Sequence, residues 1–182
     1  GAARLDDLVA EVANQKMPAL AITDHGYLFG AFEFYKKCKA AGINPIIGLE
    51  GYYAPQGRAN RTPFEFGVAG LEDASEGLTR GSSAYTHITL LSETTAGMHN
   101  LFRLSSLASM EGYYYKPRMD FELLQKYSTG LIATTGCPSG EINRWLQAGK
   151  YDKAKSAAAK LQEIFGKDNF YCELMDHGIE IE

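Results

Sequence analysis

The sequence predicts an α/β domain built on a parallel sheet, and three observations lead there. Short apolar runs of strand length alternate with segments of helical period along the whole 182 residues, the pattern of a sheet built from strand–helix–strand units. The clearest such run, Pro18-Ala19-Leu20-Ala21-Ile22, ends abruptly in Thr23-Asp24-His25-Gly26. A strand covered on both faces reads as continuous apolar sequence. Polar, chemically active residues then recur at other strand ends: Glu50, Cys137, Asp176 and His177. Such recurrence favours a barrel, whose site is assembled from many strand ends, over an open doubly wound sheet with one switch point.

Each element has its own warrant. Leu5, Leu8, Val9 and Val12 fall on one helical face. A strand at Ala19–Thr23 follows, then a helix carried by Leu28, Ala31, Phe32, Tyr35 and Cys38 and stopped near Gly42. Pro45–Tyr53 reads as a strand with Glu50 near its end. Residues 55–83 have little periodicity and many Gly and Pro, so they read as a surface insertion. Its Arg58, Arg61 and Arg80 suit either a solvated face or phosphate contact. Tyr85–Leu91 is a third strand containing His87, and Met98, Leu101, Phe102, Ser105 and Ala108 mark a helix in which His99 reads as surface. After an aromatic and basic connector at 113–118, Asp120 caps a short helix running to Tyr127. Gly130–Thr135 is a fourth strand, followed by helices around Ile142, Trp145 and Leu146 and from Ala154 to Phe165. Phe170–Met175 is the fifth strand.

The bulk composition bounds the function. A hydrophobic content of 45% supports one globular core. No apolar run approaches the roughly 20 residues of a membrane span, and no signal-peptide pattern opens the chain. The three cysteines, Cys38, Cys137 and Cys172, are far apart and odd in number. They suggest a reducing cytoplasm rather than a disulfide framework. A net charge of −4 excludes a wholly basic nucleic-acid binder, so any DNA contact is local or shared with other domains. The chain opens with Gly1 rather than Met and stops just after Asp176-His177-Gly178. Both ends read as cuts within a longer protein.

Imidazole, carboxylate and thiolate are the side chains that hold zinc and similar ions. Here they are dispersed as His25, Glu50, His87 and Cys137. That spacing excludes a zinc finger, whose ligands come in close pairs, and permits a site at a barrel mouth. Plain alternatives stand beside it. Asp24-His25-Gly26 is also a helix cap and tight turn. His87 also reads as a hydrogen-bonded strand residue, Glu50 as a cap, and Cys137 as a small buried apolar side chain.

Several segments resemble one family, in order along the chain. They are Met17–Gly26 (Met-Pro-Ala-Leu-Ala-Ile-Thr-Asp-His-Gly), Gly42–Glu50 (Gly-Ile-Asn-Pro-Ile-Ile-Gly-Leu-Glu), Tyr85–Leu91, Lys116–Asp120 (Lys-Pro-Arg-Met-Asp), Thr134–Glu141 (Thr-Thr-Gly-Cys-Pro-Ser-Gly-Glu) and Glu173–Gly178. The chain resembles the PHP (polymerase and histidinol phosphatase) domain found in alpha subunits of bacterial DNA polymerase III. The Lys-Pro-Arg and Cys-Pro-Ser-Gly segments point to that polymerase branch. The resemblance implies a distorted (β/α)7, TIM-like barrel of the PHP type, incomplete over 1–182. The family's opening His-x-His motif and its later Asp-x-His segment do not occur here.

The resemblance also implies a divalent metal cluster at the barrel mouth, with His25, Glu50, His87 and Cys137 as ligands. Zinc suits this donor set best, with manganese, iron and magnesium as alternatives. Arg118 is implied as a phosphate contact and Asp24 as a catalytic neighbour. The implied activity is metal-dependent phosphodiester hydrolysis, a 3′–5′ exonuclease acting on the primer 3′ end of DNA. It would belong to a replicative polymerase working with other polymerase subunits in the cytoplasm and without a membrane. Two rivals accompany it. One is an inactive structural domain that stabilises the polymerase and docks a separate exonuclease. The other is a small-molecule phosphatase of the same superfamily.

Overall fold

The structure, a computed structural model, describes residues 3–66, 82–176 and 178. In chain order the elements are α1 (Leu5–Asn14), β1 (Ala19–His25), α2 (Ala31–Ala40), β2 (Asn44–Tyr53), β3 (Phe64–Glu65), β4 (Ser82–Ser83), β5 (Thr86–Ser92), α3 (Thr95–Glu111), β6 (Arg118–Met119), α4 (Phe121–Tyr127), β7 (Leu131–Thr134), α5 (Glu141–Gln147), α6 (Tyr151–Phe165) and β8 (Phe170–Tyr171). The expected α/β alternation is present. Asp120 caps α4 by accepting from the Leu123 N–H, and Thr94 caps α3 in the same way through Gly97.

The sheet corrects one expectation. It has six strands in the order β1-β2-β5-β7-β8, with β6 beside β2, and it is mixed rather than parallel. The β1–β2, β2–β6 and β7–β8 pairs are parallel, whereas β5 runs antiparallel to both β2 and β7. Period alone cannot report strand direction, since a buried strand reads the same both ways. The sheet is not closed into a barrel among the described residues. The fifth strand is also shorter than expected: β8 ends at Tyr171, and residues 172–176 continue without regular structure.

The register explains where the core and the polar face lie. Asp24, Leu49, Leu90, Ala133 and Phe170 are partners across five strands. Four of these five are buried apolar residues, and Leu49, Leu90 and Ala133 are wholly excluded from solvent. They join Leu101, Leu104, Leu124 and Leu161 from the helices in one apolar cluster. The adjacent row, one residue further along each pairing, is His25, Glu50, Thr89 and Thr134. Side chains alternate faces along a strand. One row therefore builds the core, and the next presents polar groups on the opposite face.

The 55–83 segment is anchored at both ends. β3 and β4 form a two-stranded antiparallel pair, Phe66 is buried against Trp145 at 4.7 Å between ring centroids, and Arg58 binds carboxylates of Glu111, Asp120 and Glu122. Residues 67–81, Arg80 among them, lie outside the described residues, as does His177.

Candidate metal centre

His25 closes β1, and Glu50 is its register partner on β2. Two residues on, Tyr52 is paired with His87 of β5. Because Glu50 and Tyr52 are two apart, His25, Glu50, Tyr52 and His87 all project from one face. His87 lies near the start of its strand, not the end. It reaches the same edge because β5 is antiparallel.

Gly26 lets the chain turn immediately after His25. Its φ is +70°, and a Cβ there would stand 2.7 Å from Pro117 and 2.9 Å from the Tyr52 ring, so only glycine fits. Its N–H donates to the Glu50 carbonyl at 2.9 Å, and its carbonyl accepts from the Ser105 hydroxyl at 3.0 Å.

Cys137 comes from the loop between β7 and α5. The His87 N–H donates to the Ser139 carbonyl at 3.2 Å, and Gly140 bridges to His87. The Asn143 side-chain amide donates to the carbonyls of Gly136 and Cys137 at 3.1 and 2.8 Å. These bonds fix the loop against β5 and aim the thiol at Glu50 and His87.

Of the four expected ligands, His25, Glu50 and His87 form one compact group, and Cys137 touches Glu50 and His87 at its edge. His25 Nε2 lies 3.1 Å from one Glu50 carboxylate oxygen, and His87 Nδ1 lies 2.9 Å from the other. Cys137 Sγ is 3.3 Å from His87 Nδ1 and 3.7 Å from Glu50. Nitrogen, oxygen and sulfur donors around a tetrahedral ion stand roughly 3.4 Å apart, given bonds of about 2.0–2.3 Å. The observed separations bracket that value, and the donor set suits a zinc-like ion. His25, Glu50 and His87 alone present ligand atoms all within 4.8 Å of one another.

The electrostatics follow from this crowding. Burial pushes the Glu50 carboxyl up, but the imidazole of His87 and the nearby His25 and Cys137 outweigh it and leave the carboxyl below its ordinary range. Burial also opposes the His87 imidazolium. Hydrogen bonds to Cys137 and Glu50 reverse this and raise its pKa to about 9. The cluster thus holds itself together through shared protons, the positions a divalent cation would take. His87 is buried and Glu50 nearly so, while the His25 side chain is 61% exposed and opens the cluster to solvent.

Two expected residues lie elsewhere. Asp24 alternates away from His25, and its carboxylate accepts the Gly30 N–H at 2.8 Å. It shapes the turn into α2 on the helix-covered face, while the N-cap of that helix is Gly30. Arg118 is 1% exposed. Its guanidinium donates to the backbone carbonyls of Gly112 (2.9 Å), Asn60 (2.6 Å), Arg58 (2.6 Å) and Ala84 (3.4 Å). That is a structural hub rather than the expected phosphate contact. A Lys-Pro-Arg string does not reveal whether its arginine turns inward.

The sequence reading missed three neighbours. Tyr52 packs edge-on to His87 at 5.3 Å, and Tyr85 stacks parallel to the same imidazole at 6.3 Å between centroids. Thr134 donates to Glu173. Tyr52 was legible in principle, since it lies two residues beyond Glu50 on the same strand face.

The PHP domain profile matches residues 1–177. The chain belongs to the PHP domain family. Its relatives include proteins named DNA polymerase III subunit alpha: from Saccharopolyspora erythraea at 50% identity, covering 100% of this chain and 16% of the relative, from Mycobacterium leprae at 49%, covering 100% and 15%, and from Thermus aquaticus at 42%, covering 98% and 14%. The chain thus spans about a sixth of the length of these relatives. Among the described residues no helix is long and apolar enough to cross a membrane.

Proposed function

We propose that the chain is the PHP domain of a replicative DNA polymerase alpha subunit and a metal-dependent phosphodiesterase acting as a 3′–5′ exonuclease. The observation that carries this is the grouping of His25 and His87 on the two oxygens of Glu50, with Cys137 against Glu50 and His87, at contacts of 2.9–3.7 Å. On this reading the open sheet is part of the family's distorted (β/α)7 barrel. The partners are the primer 3′ end and the other replicative subunits, in the cytoplasm.

Bound divalent metal would supply an activated water and charge stabilisation for a phosphodiester. The chain's own residues do the rest. Glu50, between two imidazoles that keep it ionised, would be a carboxylate ligand for such a metal. His87, wedged between Tyr52 and Tyr85, fixes ligand orientation. His25, exposed at the rim, faces incoming substrate. Water adds to phosphorus, the bond to the 3′ oxygen breaks, and that oxygen leaves with a proton. The products are a nucleoside 5′-monophosphate and a shortened 3′-hydroxyl end.

The test is hydrolysis of a 3′-labelled primer by the full-length polypeptide, with and without metal, beside a Glu50→Ala/His87→Ala variant. The reading expects metal-dependent release of mononucleotide, lost in the variant. Intact folding with equal release in both would leave the structural, partner-docking role.

A further inference from the structure

The aromatic and basic connector at 113–118 supplies none of the four candidate ligands, yet it stands beside them. Pro117 packs on Gly26, the residue after His25, so closely that a Cβ there would stand 2.7 Å from its ring. Lys116 Nζ lies 5.4 Å from the centroid of the Tyr52 ring. Tyr52 in turn is 6.3 Å from His25 and 5.3 Å from His87 between ring centroids. The connector therefore forms one rim of the candidate metal centre.

Its backbone is held in an unusual shape. Tyr115 has a φ of +59°, in the left-handed region that a bulky side chain rarely enters. The turn closes around it, the Tyr114 N–H donating to the Lys116 carbonyl at 3.1 Å. Such a conformation persists only where its surroundings impose it. Buried Arg118 anchors the base of the turn by donating to the Gly112 carbonyl at 2.9 Å, and it ties in the Asn60 carbonyl at 2.6 Å. Asn60 brings its neighbour Arg61 alongside, with the guanidinium 5.7 Å from the centroid of Tyr114, which meets Tyr115 edge-on at 4.7 Å. The turn leaves Tyr113 57% and Tyr115 70% exposed. Arg58 is committed to carboxylates and Arg118 to backbone carbonyls. Arg61 is exposed and meets no carboxylate among the described residues.

Exposed rings beside cations match a single nucleic-acid strand, whose bases stack on aromatic faces while positive charges follow its backbone. We infer that the 113–116 turn and Arg61 form a platform for single-stranded DNA. Tyr113 and Tyr115 stack on bases, Arg61 and Lys116 meet phosphates, and the 3′ end is delivered to the metal centre. The inference rests on the phosphodiesterase reading and deepens it, since it makes the substrate strand unpaired and says where it lies. Every base has a face to stack, so the platform tolerates any sequence.

The experiment uses the full-length polypeptide with zinc or manganese and two substrates: a single-stranded oligodeoxynucleotide and bis(4-nitrophenyl) phosphate, a diester with no base. The quantity read is the ratio of kcat/KM on the first to kcat/KM on the second. Tyr115→Ala is expected to lower that ratio roughly fivefold or more, and Tyr115→Phe, which keeps the ring, to restore it. Arg61→Gln is expected to flatten the fall of kcat/KM on the oligonucleotide with salt by about 0.7 in log–log slope, one phosphate contact on a single strand. An unchanged ratio in Tyr115→Ala, or an equal loss in Tyr115→Phe, overturns the stacking role. An unchanged salt slope in Arg61→Gln overturns the phosphate contact. A second readout needs no hydrolysis: an oligonucleotide carrying 5-iododeoxyuridine near its 3′ end, irradiated on the protein in the presence of chelator, is expected to cross-link within residues 113–115. If neither substrate is cleaved, the phosphodiesterase reading fails on its own and the cross-link decides the platform. Cross-links confined to other parts of the polypeptide overturn it.

Discussion

Arg118 shows how a charged side chain becomes architecture. It joins backbone from residues 58–60, Ala84 and Gly112 by donating to their carbonyls, and burial lowers its pKa from the ordinary arginine value, with Arg61 nearby adding to the effect. Replacing it by Met fills similar space but leaves those carbonyls unpaired. Arg118→Met is expected to lower unfolding free energy by roughly 3 kcal/mol or more, measured by chemical denaturation. Glu141, in the first turn of α5, carries a carboxyl pushed up by burial, opposed in part by a bond to Trp145. A raised folded pKa means that stability is fully present below the unfolded value near 4.5 and declines as pH rises through the folded value. Glu141→Gln removes that decline. The variant should gain on the unsubstituted protein between pH 4 and pH 7, and equal differences at both pH values would refute the assignment. At this scale the sequence was half legible. Residue type singled out His25, Glu50, His87 and Cys137 as candidates, and the structure brings His25, Glu50 and His87 together, but inward or outward aim depends on tertiary contacts. Asp24 and Arg118 therefore looked on paper like the residues that cluster with Glu50.

The elements place the ligands through two tight junctions. One is the Gly26 turn between β1 and α2, and the other is the 136–140 loop between β7 and α5. Gly26→Ala meets both a positive φ and the Pro117 and Tyr52 contacts, so it should cost about 1–3 kcal/mol and displace His25. Gly140 faces the Thr135 carbonyl so closely that a Cβ would collide with it. Gly140→Ala therefore shifts the loop, moves Cys137 away from His87, and weakens metal binding, as titration with a chromogenic chelator would report. Unchanged affinity would mean that the loop does not set the thiol. Helices and strands were readable because amphipathic period and caps are local. The two-residue strands β3, β4 and β6 were not, because they exist only through pairing with distant segments, and β8 was read too long for the same reason.

Across the whole molecule, one feature of the register organises everything: adjacent rows across the sheet alternate between core and site. Mutations in the Leu49–Leu90–Ala133 row are expected to act on stability, and those in the His25–Glu50 row on the proposed metal binding. Strand direction was the largest thing the sequence concealed. It matters less than it might, because antiparallel β5 still delivers His87 to the correct edge. Protons compete with metal for every one of these ligands, so metal affinity falls as the solution is acidified. The most direct measurement is metal content, by elemental analysis, of the full-length polypeptide beside its Glu50→Ala/His87→Ala variant. The account predicts bound divalent metal in the first and its loss in the second while the fold persists. Equal metal in both, or none in either, would contradict a metal centre at His25, Glu50, His87 and Cys137.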